Sequence, residues 1–497
     1  MTSDPPKASP ETAPYRPAPM FAAVSEDLAD QVEPADFPEA TIRYRNQRWA
    51  EAVGLGDLSD ADWIKHFARF DPLPGNQQKP LAMRYHGHQF RSYNPDLGDG
   101  RGFLFGQALD GDGRLLDFGT KGSGQTPYSR FGDGRLTLKG GVREALATEM
   151  LEALGVYTSK TFSLIETGEQ LTRNDEPSPT RSAVMVRLQH SHIRFGAFQR
   201  HAYHDRADLI TKLIDHCVDA YYPSLAALEG EDRAIGLFTA IISRSATLAA
   251  SWMAAGFVHG VMNTDNMNVT GESFDYGPFR FLPHSDPGFT AAYFDRTGLY
   301  AFGRQPGQMI WNLQQLGGAL TVVASTDKLT EALKTFEPAY QVALRDRTFA
   351  CLGVTPGDLK TDLEMLSSLF AWMTETKASW PQVFFDLFCG EASADRMDRS
   401  PIANLYKLSN FWGIRAALFE RTPNRPERLK NAYFEREAPE SLLIDEIEAL
   451  WAKIADDDDW SGFETKLSQI GLMREALDIA PDTFGIEPAR AMSQADT

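Results

Sequence analysis

Cysteine is scarce in this chain: three in 497 residues, Cys217, Cys351 and Cys389. Their spacing offers neither a metal-ligand pattern nor a disulfide framework, which suits a reducing, cytoplasmic compartment. No uninterrupted apolar run approaches the ~18 residues of a membrane span, so none is expected. Positive charge is also short. Lys and Arg number 49 against 68 Asp and Glu, a net charge of −19. Such a surface repels phosphate backbones, which argues against nucleic acid as the main partner. An anionic nucleotide would need a local basic pocket. No repeat of fixed period is present. The first 40 residues are Pro-rich, six of the prolines falling within the first 20, at positions 5, 6, 10, 14, 17 and 19. They have no basic segment leading into an apolar run, and read as an extended or disordered lead rather than a signal peptide.

What is there is a globular composition, 42% apolar and 24% charged, in a chain long enough for two to four domains. Gly102 to Leu109 and Arg114 to Lys121 are apolar runs flanking Asp110-Gly-Asp-Gly113, a hairpin pattern. Val142, Leu146, Met150 and Leu154 then share a helical face that Gly155 can end. Ser182 to Leu188 reads as another strand. From about residue 206 the chain is mainly helical, with a long apolar helix over 234–255 and an acidic run, 456–459, read as a solvated loop.

The chemistry-bearing stretch is His259-Gly-Val-Met-Asn-Thr-Asp265-Asn266, followed nine residues later by Asp275-Tyr-Gly277. A kinase loop of the His-x-Asp-x-x-x-x-Asn type places its base two residues after the His. Here Val261 holds that position and cannot take a proton. Asn266 and Asp275 offer the oxygen ligands that Mg²⁺ prefers, and the adjacent Asp265 is free to act as a base. His259 reads as a brace for the loop. Upstream, Gly98 and Gly100 allow close backbone approach to phosphate, with Arg101 beside them. Lys121 at a strand end and Glu144 on the helix have the order of a phosphate-holding Lys and its orienting Glu. Asp133 and Gly134 lie in a polar, Gly-rich segment that could hydrogen-bond a base or ribose, or could be a surface loop. Arg187 and Arg194 could join Arg101 and Lys121 in a cluster of four cations matching a triphosphate, or could sit in separate salt bridges. His190 and His192 read as packing or hydrogen-bonding groups.

The order, a β-rich lobe with one inserted helix followed by a helical lobe, predicts an α+β fold of the bilobed protein-kinase type. The boundaries are a lead over 1–40, a nucleotide-binding lobe over 41–200, a helical catalytic lobe over 201–330 and a helical extension over 331–497.

These residues resemble the selenoprotein O family of pseudokinases. The likeness rests on Tyr85-His-Gly-His-Gln-Phe90, Leu97 to Arg101, Lys121 to Arg135, Arg143-Glu144, Ser191 to Gly196, His259 to Met267, Asp275 to Phe279, Gln305-Pro306 and Trp311 to Leu313. The resemblance implies a protein adenylyltransferase that moves AMP from ATP to Ser, Thr or Tyr hydroxyls, self-modification included, with ATP flipped relative to kinases. It implies ATP binding by Gly98, Gly100, Arg101, Lys121, Asp133, Gly134, Arg187, Arg194 and Asp275. Asn266 and Asp275 would hold Mg²⁺, or Mn²⁺, Asp265 would be the base and Glu144 a structural support. UMP transfer from UTP with Mn²⁺, true kinase chemistry through Asp265 and a nucleotide-binding scaffold without turnover are the rival readings. Two departures bear on regulation. No Cys follows Cys389, and Pro287-Gly-Phe289 continues as Thr-Ala-Ala, so the thiol switch proposed for relatives is not expected.

Overall fold

The computed structural model describes residues 14–174, 176–480 and 487–489. Its centre is a nine-stranded antiparallel sheet. The expected hairpin is present as Leu104–Leu109 and Leu115–Lys121, and the expected third strand as Thr180–Gln189. Lys160–Leu171, not foreseen, pairs with Thr180–Gln189 on one side and with Thr41–Arg45 on the other. The opposite edge is built from Leu81–Met83 and Ala29–Gln31. The fold is α+β.

Strand register decides which side chains reach the site. Met185 lies opposite Lys121, and Arg187 lies opposite Gly119. Positions two apart on a strand share a face, so Lys121 and Arg187 project to the same side. The helix Leu138–Ala153 packs on that side, and Thr137 caps it by accepting the Gly140 N–H at 3.2 Å. It begins four residues before the predicted apolar face, and Gly155 ends it with φ +74°. The helix is buried nearly all round, because Ser461–Leu477 covers it from outside, with Arg474 paired to Glu149 at 2.6 Å.

The other face of the sheet carries an aromatic core. Trp63 stacks on Phe162 with ring centroids 4.9 Å apart, and Phe67 meets Phe162 edge-on at 5.2 Å. Trp63 and Phe67 sit on a short helix, Asp60–Phe67, that Ser59 caps; a second, Gln47–Ala52, is capped by Asn46. The expectation of a single inserted helix therefore undercounts. These helices are too short to show a helical period over a useful window.

The expected loose lead is corrected as well. Positions 1–13 lie outside the described residues, but 14–40 are ordered against the core. Arg16–Pro17 and Ala29–Gln31 join the sheet, while Phe21, Val24 and Leu28 are buried. Proline breaks helices but is tolerated at sheet edges, and the few apolar residues among the prolines anchor the segment. The acidic run over 456–459 is not a free loop either. The helix Ile444–Asp457 ends in it, and Asp458, at φ +51°, pairs with Arg181 at 2.7 Å and Arg43 at 3.2 Å.

The long helix Gly230–Ala254 is the one described helix apolar and long enough to cross a membrane by composition; most of it is core. It delivers the chain to the 259–275 segment, which is stitched by backbone bonds to the segments flanking the sheet strands. Phe195 N–H donates to Met267 O at 2.9 Å, Val269 to Ile193 at 3.1 Å, and Ser159 to Ser273 at 2.9 Å. Beneath this seam Glu272 accepts the His190 N–H at 2.7 Å. Burial pushes its carboxyl up to about 7, against the pull of Lys160. From its ordinary value of 4.5 to about 7 the folded chain holds a proton that the unfolded chain has released. Stability therefore falls as pH rises through that window. Glu272→Gln keeps the acceptor oxygen and removes the titration. Its melting temperature relative to the unmodified protein should climb between about pH 5 and about pH 8; calorimetry showing a pH-independent offset would contradict the assignment.

Candidate active site

The loop, the sheet and the glycine-rich segment enclose one polar cleft of roughly 780 Å³. Gly98, Gly100, Arg101, Lys121, Asp133, Gly134, Arg187, Arg194, Asp265 and Asp275 all line it. The stretches named from sequence, spread over some 180 positions, thus share a single hollow. Asn266 and Glu144 are not in its wall. Glu144 lies wholly buried behind it, and Asn266 stands beside Asp265 in the 3₁₀ turn Thr264–Asn266.

Lys121 is the hub. Its Nζ lies 2.6 Å from Glu144 Oε2 and 2.8 Å from Asp275 Oδ1. Arg187 Nη1 stands 3.7 Å from Glu144 Oε1 and 3.6 Å from Asp275 Oδ1, beyond hydrogen-bond reach. Arg187 is 4% exposed, yet its Nε and Nη1 are buried donors with no hydrogen-bond partner. Unpaired buried donors carry a penalty of about 1–3 kcal/mol, which an anion in the cleft would relieve. Burial alone would raise the Asp275 carboxyl; Lys121, then Arg187, Arg101 and Arg194, hold it well below the usual range. It stays ionised.

Arg194 is placed differently from the expectation of a free phosphate-binding cation. Its guanidinium donates to the Asp265 carbonyl at 3.0 Å and to Asp99 Oδ1 at 3.2 Å. It lies between the rings of Tyr85 and Phe274, 4.6 and 5.0 Å from their centroids. It positions the loop as well as facing the cleft. Asp99 and Tyr85 were within motif strings, but nothing in the sequence assigned them to Arg194. His190 bonds the Tyr157 hydroxyl at 2.9 Å and His192 bonds Asp117 at 3.1 Å.

The glycines act through the loop that covers the cleft. A Cβ at Gly98 would fall 2.3 Å from the Tyr128 ring, and one at Gly100 2.8 Å from the Tyr128 carbonyl. Tyr128 is anchored in turn by its hydroxyl to Asp30, a residue of the supposedly loose lead. Gly134, at φ +70°, packs against the Gly124 backbone. Asp133 faces the cleft while paired with Arg173 at 2.8 Å.

The loop carrying Asp265 is braced from several sides. Thr264 Oγ1 accepts the His88 N–H at 2.7 Å and donates to Gln199 at 2.7 Å. Asn312 donates to the Met262 carbonyl at 3.0 Å. His259 braces, as read from sequence: its Nε2 bonds the carbonyl of Phe274, at 3.0 Å, just before Asp275. Asp275 itself sits at φ +64°, a left-handed conformation costing about 1–2 kcal/mol for a residue other than glycine. Asp265 Oδ1 is buried without a partner. Burial, assisted by Asp275, lifts its carboxyl to about 6, opposed by Arg194.

The donor set fits a hard divalent cation. Asp275 supplies an ionised carboxylate, and Asn266 commits its amide nitrogen to the Val261 carbonyl at 3.0 Å, which leaves its oxygen for a ligand. Among the described residues no three His, Cys, Asp or Glu gather as a metal cage. One or two protein ligands completed by substrate phosphates is the arrangement typical of Mg²⁺.

Comparison with known proteins gives the family. A family model described as "Protein adenylyltransferase SelO" matches residues 12–471. A "Protein nucleotidyltransferase YdiU" of Synechocystis sp. is 42% identical over 471 residues, covering 92% of this chain and 97% of that protein. The protein of the same name from Gloeobacter violaceus is 43% identical over 477 residues, covering 94% and 96%. That from Myxococcus xanthus is 38% identical over 388 residues, covering 78% of each. The cleft and these matches define an enzyme, a protein nucleotidyltransferase. More narrowly, the chain belongs to the SelO family.

Removing Lys121 alone would leave Glu144 buried beside a vacated charge, which typically costs about 3–5 kcal/mol. Lys121→Met should therefore lower the melting temperature sharply. Adding Glu144→Gln should restore most of that stability without restoring nucleotide binding. Calorimetry and nucleotide titration of the single and double variants separate the two effects.

Proposed function

We propose that this enzyme transfers AMP from ATP to a Ser, Thr or Tyr hydroxyl of a protein, on a bilobed kinase-like scaffold that holds ATP reversed relative to kinases. The observation that carries the reading is the split between Val261 and Asp265. The position of a kinase base is apolar, while the neighbouring loop carboxylate has an unpartnered oxygen and a raised proton affinity.

In this reading Lys121, Arg187 and Arg101 hold the β- and γ-phosphates, with Arg194 fixing the floor beside them. The α-phosphorus then faces the acceptor side of Asp265. Asp265 takes the hydroxyl proton as the acceptor oxygen bonds to the α-phosphorus. The bond from that phosphorus to the bridging oxygen breaks, and pyrophosphate leaves with its electron pair. The buried cations meet the charge that accumulates on it, where a low dielectric strengthens their effect. Asn266 and Asp275 would hold Mg²⁺, which when bound neutralises phosphate charge and fixes phosphate geometry. The relatives' printed name leaves the nucleotide open, which keeps UMP transfer from UTP with Mn²⁺ as the second reading.

ATP labelled at the α-phosphate should mark protein, the enzyme itself included, and γ-labelled ATP should not. Transfer of γ-label would establish kinase chemistry instead, and faster α-label transfer from UTP would favour the second reading. Asp275→Ala should abolish transfer. Asp265→Asn, of nearly the same shape, should slow it by about 10²–10⁴-fold while nucleotide still binds; full activity in either variant would overturn the assigned roles.

A further inference from the structure

Beside the cleft stands a group of aromatic side chains that the folding of the chain does not explain. Phe90, Tyr293 and Phe294 are 38%, 83% and 45% exposed. Most large apolar residues on a protein surface are scattered singly, which needs no explanation. These three are gathered. Phe90 and Phe294 have ring centroids 5.8 Å apart, Tyr293 and Phe294 5.1 Å, and Phe90 rests on the buried Tyr300 at 4.9 Å. They come from distant parts of the chain: Phe90 from the tip of the hairpin Gly87–Gln89 and Ser92–Asn94, the others from the segment after Asp275-Tyr-Gly.

The group is coupled to the reacting carboxylate. Asn263 Oδ1 accepts both the Tyr300 hydroxyl at 2.7 Å and the Phe90 N–H at 3.1 Å. Asn263 lies two residues before Asp265. At the hairpin's other end, a Cβ on Gly87 would sit 3.3 Å from Asp265 Oδ1. Phe90 is three residues further on, so the platform begins no more than about 15 Å from the carboxylate, three to four residues of extended chain.

The charges around it point the same way. Arg91, which follows Phe90, and Arg296, which follows Phe294 by two, are exposed. Arg91 lies over Trp311 and bonds Gln308. Neither arginine is ion-paired with a described carboxylate, in a chain of net charge −19.

From this geometry we infer that Phe90, Tyr293 and Phe294 form the docking platform for the protein acceptor. It takes an extended segment with a large apolar side chain about three residues from the modified hydroxyl and an acidic residue nearby. The inference rests on the proposed transfer to protein hydroxyls, because that is what places an acceptor chain at Asp265. Aromatic surfaces supply large contact area at little conformational cost, and the two arginines add charge complementarity to an acidic flank. Gln89, the residue before Phe90, lines the cleft, which sets the platform next to the opening an acceptor would use.

The test uses the full-length chain and short peptides with one central Ser, carrying Leu or Gly in turn at each flanking position, with or without a neighbouring Asp. Binding is read by fluorescence anisotropy with a non-hydrolysable ATP analogue present, and transfer by α-labelled ATP. One flanking position should prefer Leu over Gly by about ten-fold in both readouts, and Asp should strengthen it. Tyr293→Ser/Phe294→Ser, which alters exposed side chains only, should erase the Leu preference and leave affinity for the ATP analogue unchanged. A Leu preference absent at every position, or one that survives the double substitution, overturns the platform. Leu-dependent binding with no label transfer to any peptide supports the platform and counts instead against the proposed transfer.

Discussion

The structure depends on one buried arrangement of charge: Lys121 held between Glu144 and Asp275, with Arg187 just out of hydrogen-bond reach of both carboxylates. Removing such groups from water costs several kcal/mol each, and mutual attraction offsets this only with good geometry. Here the geometry is complete around Lys121 and incomplete around Arg187. Arg101 and Arg194 add further positive charge to the same wall. The cluster is thus balanced for folding and under-satisfied for its own sake, which is the electrostatic state of a site that waits for an anion. A triphosphate answers it in charge and in the number of acceptor oxygens.

That arrangement needs Asp275 held in a conformation a non-glycine residue avoids. The price is carried by surrounding structure: His259 on the preceding carbonyl, and the backbone bonds that tie 267–273 to the segments flanking the sheet strands. The same seam fixes Asp265, through Arg194 below and Thr264 above. The cation cluster and the Asp265 carboxylate are therefore held by one connected set of hydrogen bonds. This suits a reaction in which the protein contributes position and field rather than covalent chemistry.

The acidic surface and the basic cleft have complementary effects. A net charge of −19 disfavours polyanions in general, while the few convergent cations admit a small one. The exposed arginines near Phe90 and Phe294 extend that local reversal of sign toward the side from which an acceptor would come.

Much was legible in the sequence. The hairpin showed as two apolar runs about an Asp-Gly turn, and the site helix as a 3.6-residue period ended by Gly155. The loop chemistry showed as Val261, Asp265, Asn266 and Asp275 at fixed spacings, because spacing along one loop is a local property. Lys121 and Glu144 were readable for the same reason, one ending a strand and the other lying within a regular helix. The sequence by itself could not decide whether Arg187 joins Lys121, because that follows from antiparallel register between strands some 60 residues apart. Nor could it show that Arg194 serves the loop through Asp99, that Gly98 makes room for Tyr128, or that residues 14–40 close the far edge of the sheet. The aromatic gathering at Phe90 was equally hidden, since its members are about 200 positions apart. Local pattern determined the elements and the reactive loop; only long-range packing, which no local period encodes, decided which charges share one cleft.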